Sequence, residues 1–203
     1  GVMRGLGMDN LGGVFNLEWS DPADDSEASH HAAEIYDGYY NRFFLGGVFK
    51  KAYPEILMEG LGPHLPQNWQ DDFDIIGAPL DWCGLNYYTR SVHRANQGPW
   101  PHHQAVEGPL PKTQMGWEIY PEGLYKFIMR TAREYSGDLP LFITENGMAN
   151  ADVISDGRVS DPERIAYIET HLDAVRQAIA EDAPVAGYFL WSLLDNYEWA
   201  LGY

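Results

Sequence analysis

The chain has a single cysteine, Cys83, and few basic side chains: 13 Lys+Arg stand against 30 Asp+Glu, a net charge of −17 over 203 residues. One thiol cannot close an internal disulfide or build a multi-cysteine zinc or iron–sulfur site. So acidic a surface repels phosphate backbones and anionic lipid, which argues against nucleic acid and membrane surfaces as partners. No apolar run approaches the ~20 residues of a membrane-spanning helix. Internal repeats and low-complexity tracts are missing too. What is present is 45% hydrophobic and 14% aromatic, enough to bury a core and too much for a disordered chain. Residues Gly1–Asn10 carry no basic-then-apolar signal pattern. The compartment is left open, with the cytoplasm as the expectation and the protein's true start taken to lie upstream.

Four short runs are apolar almost throughout: Leu11–Leu17, Trp82–Tyr88, Leu141–Thr144 and Val185–Trp191. Runs without alternation suit strands covered on both faces, as in parallel sheets. Helical patterns lie between them. Residues 26–44 place Ala32, Ile35, Tyr36, Tyr39 and Phe43 on one stripe. Residues 121–135 open at Pro121, carry Leu124, Phe127 and Ile128, and stop near Ser136-Gly137. Residues 161–180 begin with Ser160-Asp-Pro-Glu163, readable as a capping box, and space Ile165, Ile168, Leu172, Val175 and Ile179 three or four apart. Residues 89–120 read as a long, turn-rich, helix-poor connection of the kind that usually serves function.

Strand and helix in alternation predict an α/β fold with a parallel sheet. Two architectures fit: a doubly wound sheet, or half of a (β/α)8 TIM barrel, which typically needs ~250 residues. The sequence stops at Tyr203, directly after its densest aromatic and acidic stretch, Trp191–Trp199. Both ends are therefore read as cuts, and residues 1–203 are expected to form one partial domain.

Three passages carry chemistry. In Leu139–Gly147 an apolar strand delivers Glu145 at its C-terminal end, where α/β folds bind ligands; an idle surface acid is the plain alternative. Trp191, Glu198 and Trp199, with Asp195 and Asn196, follow the last strand within nine positions. Indole faces pack on sugar C–H faces while carboxylates hold hydroxyls; the alternative is a buried aromatic cluster closing the sheet. Gly84–Thr89 ends a strand with Asn86, Tyr87 and Tyr88. Alternation sends the two phenols to opposite faces, so only one can join Asn86 in a pocket.

These motifs (Ile143-Thr-Glu-Asn-Gly147, Gly187–Trp199 and Gly84–Tyr88), together with Lys112–Gly123, resemble the retaining β-glycosidases of glycoside hydrolase family one. The resemblance runs in order from Asn10 to Tyr203 and implies strands five to eight of a TIM barrel. By this resemblance Glu145 matches the catalytic nucleophile, and Tyr88 the phenol bonded to it. Asn86 matches a residue lining the cleavage subsite, and Trp191 the platform under the non-reducing sugar. Glu198 and Trp199 match the residues holding its distal hydroxyls, and Trp117 the platform on the leaving-group side. Members that accept phosphorylated sugars lack a glutamate at the position of Glu198, and a carboxylate there repels phosphate. The implied substrates are thus unphosphorylated β-glucosides, galactosides or fucosides, with no cofactor and no metal.

One element of the family pattern is missing: no Asn-Glu-Pro triplet occurs, and Tyr53-Pro54-Glu55 has the wrong order and follows a helix. Without that general acid/base, and without the N-terminal half of the barrel as partner, the chain alone is expected to be inactive. Its first and last strands, near Val14 and Phe189, would leave open edges prone to self-association. Two further readings stand beside the hydrolase: a non-catalytic carbohydrate-binding half-barrel, and a partial gene product without function. His30-His31 and His102-His103 read as poor metal ligands. The former point apart on a helix; the latter sit in a loop without acids. Asp21, Asp24, Asp25 and Glu27 read as a solvated helix entry.

Overall fold

The computed structural model describes residues 1–202. In chain order the principal elements are β1 (Gly12–Pro22), α1 (Glu27–Asp37), β2 (Trp82–Ala95), β3 (His103–Val106), α2 (Pro121–Thr131), β4 (Leu141–Asn146), α3 (Pro162–Ala180) and β5 (Val185–Leu190). β1, β2, β4 and β5 lie side by side in that order, all parallel, and β3 folds back antiparallel on the far end of β2. Sequential parallel strands joined by helices, four in number, make half of a (β/α)8 barrel.

Alternation along each strand divides the sheet into two unlike faces. Cys83, Leu85, Tyr87, Leu141 and Ile143 are fully buried, packed beneath Leu124, Phe127 and Ile128 of α2 and Val175 and Ala178 of α3. The other face is open. Val14 and Phe189 are 49% and 57% exposed, and β1 and β5 each have a single strand partner among the described residues. Close packing sets two glycines. A side chain at Gly123 would collide with the Tyr87 hydroxyl, which donates to the Tyr120 carbonyl at 2.7 Å. One at Gly84 would press on Val14 and Thr144 across the open face.

Several expectations need correction. The capping box at Ser160–Glu163 does not form: Asp161 occupies the N-cap with no side-chain capping bond and pairs instead with Arg164. On α3 the buried stripe is Tyr167, His171, Ala174, Val175 and Ala178, whereas Ile165, Leu172 and Ile179 are exposed. Tyr39 likewise turns outward. α1 does not end near 44 but runs on through two π-helical turns to Lys50, which is followed by Lys51 in the left-handed region. The 89–120 connection is not all loop: β2 extends to Ala95 and pairs with β3, so His103 belongs to a strand. Asp21 is not a solvated helix entry; it sits at the end of β1, accepts from the Trp19 indole at 3.0 Å and pairs with Arg90 at 2.8 Å.

Candidate active site

The open face at the C-terminal end of the strands gathers most of the predicted polar residues. The Tyr88 hydroxyl donates to Glu145 Oε2 at 2.6 Å. Burial pushes the phenol's pKa up, and the bond to Glu145 with the negative charges of Glu145 and Glu198 pushes it further. Tyr88 therefore stays a proton-bearing donor at neutral pH, able to orient the carboxylate it bonds. Asn86 lies on the same face, its amide oxygen accepting from the Thr144 hydroxyl at 2.6 Å. Tyr87 faces the helices and is fully buried, as alternation requires.

Glu145 reaches this face through an irregularity. Regular alternation from Leu141 and Ile143 would turn it toward the helices. The register prevents this: Ile143 pairs with Leu85 but Glu145 with Asn86, and Ile143 pairs with Tyr188 but Asn146 with Leu190. β4 thus carries one extra residue against both neighbours, a bulge of the kind that re-aims a side chain. Thr144 and Glu145 both meet the open face, while Asn146 returns to the interior, fully buried.

Trp117 is delivered by the long connection. Glu118, 4% exposed, accepts from Arg90 Nε at 2.7 Å and from the Leu110 backbone N–H at 2.7 Å. The Thr89 hydroxyl donates to the Glu118 carbonyl at 2.9 Å. These bonds tie the loop to β2 and set the Trp117 ring 5.6 Å from that of Tyr88. The last segment is less tightly held. Trp191 and Trp199 are 44% and 81% exposed, so they do not form a buried cluster, and neither makes a hydrogen bond or ring contact with the Tyr88–Glu145 pair. A side chain on Gly147 would collide with the Trp191 carbonyl, which fixes where this segment leaves β5. Glu198, half-buried, closes a short bridge with Gly202 and reaches Tyr88 through its charge.

Sequence reading missed Asn16 and Glu18, which share the open side of β1 with Val14. Asn16 pairs in register with Asn86 and donates to the Tyr40 hydroxyl at 2.8 Å; Glu18 accepts from the Tyr36 hydroxyl at 2.8 Å. Burial raises the Glu18 carboxyl's pKa. The period-two spacing 14-16-18 was the available signal. His93 and His103 pack together at 4.9 Å, and Tyr36 stacks on His93 at 3.9 Å. Among the described residues no group of three or more His, Cys, Asp or Glu is arranged to hold a metal ion.

The open face of the half-barrel thus brings a phenol-held carboxylate together with an aromatic ring. The Glycosyl hydrolase family 1 model matches residues 7–203, and the chain belongs to that family. It is 41% identical over 195 residues to "Beta-glucosidase A" of Thermotoga maritima, covering 95% of this chain and 44% of that protein. It is 35% identical over 200 residues to "6-phospho-beta-galactosidase" of Leptotrichia buccalis, covering 85% and 43%. A solved structure of a Thermotoga maritima family 1 glycoside hydrolase with a cyclophellitol analogue transition state mimic superposes with a TM-score of 0.93 at 40% identity, covering 99% of this chain and 46% of that one. The chain spans less than half the length of these relatives.

Proposed function

We propose that the chain carries the nucleophile half of a retaining β-glucosidase acting on unphosphorylated β-glycosides, and that turnover requires the first half of the barrel. The observation that carries this reading is the 2.6 Å bond from Tyr88 to Glu145 on the open face. Glu145 attacks the anomeric carbon as the bond to the leaving oxygen breaks, giving a covalent glycosyl-enzyme that water then hydrolyses. Tyr88 keeps the attacking carboxylate aimed. Asn86, Trp117, Trp191, Glu198 and Trp199 hold the sugar and its leaving group.

Retention needs a second carboxyl ~5–5.5 Å from the first to protonate the leaving oxygen. The Asn-Glu-Pro triplet that would provide it is absent from the sequence. Loss of a positioned general acid costs typically ~10²–10⁴-fold in rate, and the missing wall removes substrate positioning and water exclusion as well. The charge of Glu198, close enough to act on Tyr88, disfavours a phosphorylated sugar there.

The test is reconstitution. The 203-residue chain, alone and mixed with a strand-one-to-four half from a family member, is assayed on aryl β-glucosides and their 6-phospho counterparts. The expected result is turnover only in the mixture, on the unphosphorylated substrate, abolished by Glu145→Gln. Turnover by the chain alone would overturn the dependence on the first half. Saturable glucose binding without turnover in the mixture would mean a non-catalytic module.

A further inference from the structure

We propose that Asn146, with Tyr167 and Tyr188, is a positioning device for Glu145: the three hold the bulge of β4 that turns the carboxylate onto the open face. The inference rests on the reading of Glu145 as the reacting carboxylate and extends it to residues that never meet the sugar.

A bulge removes a strand from regular pairing with its neighbours, so the freed backbone groups need other partners. Here they find side chains. The Asn146 amide nitrogen donates to the Tyr87 carbonyl at 2.7 Å and to the Tyr167 hydroxyl at 3.0 Å. Tyr167, on α3, donates in turn to the next carbonyl of β2, that of Tyr88, at 3.2 Å. On the other side the Tyr188 hydroxyl of β5 donates to Asn146 Oδ1 at 2.7 Å, and the Trp191 N–H donates to the Asn146 carbonyl at 3.0 Å. Two consecutive carbonyls of β2 are thus tied to β4 and α3 at the point where strand pairing breaks. Those carbonyls belong to Tyr87 and to Tyr88, the residue whose phenol holds Glu145.

The proton count closes. Both amide hydrogens of Asn146 are used, Tyr167 accepts one bond and donates one, and Tyr188 donates one. An aspartate at 146 would lack both donors, and an alanine would lose all three side-chain bonds. Asn146 and Tyr167 sit on the helix-covered side, Asn146 fully buried and Tyr167 nearly so, and Tyr188 packs against the same core. Neither Asn146 nor Tyr167 can touch a ligand on the open face, so their effect reaches the chemistry only through where Glu145 and Tyr88 stand. A displacement of ~1 Å at a reacting group can cost about 10²-fold in rate.

The test uses Tyr167→Phe and Tyr188→Phe, which each delete one oxygen, and Asn146→Ala as the severe variant. In the chain reconstituted with the first half, the two Phe variants should lower kcat on an aryl β-glucoside by about 10- to 100-fold with KM within about threefold. Unchanged kcat in both would overturn the proposal. A second measurement needs no turnover. With ¹³Cζ-labelled tyrosine in the 203-residue chain, the Tyr88 signal at pH 7, assigned through Tyr88→Phe, reports the bond its hydroxyl donates. Glu145→Gln supplies the reference for a weakened bond. The Phe variants should shift the Tyr88 signal toward that reference; a signal fixed at its wild-type position would overturn the device even if stability falls. Should the wild-type mixture prove inactive, the glucosidase reading fails, while the ¹³C measurement still decides whether the trio places Glu145.

Discussion

The two faces of one sheet behave as different kinds of surface, although the same four strands supply both. On the helix side, Leu85, Tyr87, Leu141 and Ile143 are fully buried. On the other side, one residue along, Asn86 and Tyr88 meet the open mouth, and Val14 and Phe189 leave apolar area exposed. The covered face holds the fold. The open face carries the polar groups and lacks the cover that a complete barrel provides. Stability and chemistry are thus separated by a period of two residues, and a substitution should be read by the face on which it falls.

The sharpest test of that division is Phe127→Ala, which empties a fully buried site against Trp19 and Tyr87. Urea unfolding should show a loss of ~3–5 kcal/mol. The matching change on the open face, Phe189→Ser, should alter stability by less than ~1 kcal/mol while reducing self-association in light scattering, since it removes only exposed apolar area. Comparable losses from the two would erase the distinction between the faces.

Acid should act next, on two buried histidines. Burial pushes the His171 and His93 imidazoles down to about 4. Each is neutral in the folded chain and takes up a proton on unfolding at pH values between that figure and its ordinary 6.5. The stability they contribute is therefore complete above about pH 6.5 and is lost as pH falls toward 4, by up to ~3 kcal/mol for each histidine. Melting temperature measured from pH 7 to pH 4.5 should fall, and His171→Phe should flatten that fall. A smaller effect is expected at the junction of the two faces. Glu118→Gln weakens the Arg90 and Leu110 contacts that hold the Trp117 loop, for a loss of ~1–3 kcal/mol. Tryptophan fluorescence should report the freed ring before global unfolding.

Much of this was legible in the residues and some was not. Alternation separated Tyr87 from Tyr88, and the four apolar runs located the strands. The long connection was marked by its turn residues, but its anchoring depends on Glu118 meeting Arg90, two residues 28 positions apart. The facing of Glu145 was hidden for a different reason. Simple alternation from Ile143 points it at the helices, and only pairing with both neighbouring strands reveals the extra residue in β4. On α3 the apolar residues formed two overlapping stripes. Periodicity shows which residues share a stripe, but the neighbouring elements decide which stripe is covered. Small Ala174 and Ala178, with the stacked Tyr167–His171 pair, allow close approach to the sheet.

Among the described residues the outer edges of β1 and β5 are open, and this has an electrical consequence. Each copy of the chain carries a net −17, so two copies meeting edge to edge must bring like charges together. At ~0.01 M salt that repulsion extends over a Debye length of about 30 Å, and at ~1 M it shrinks to about 3 Å. Dilute buffer therefore keeps copies apart, while concentrated salt leaves the hydrogen-bonding rims of β1 and β5 free to find one another.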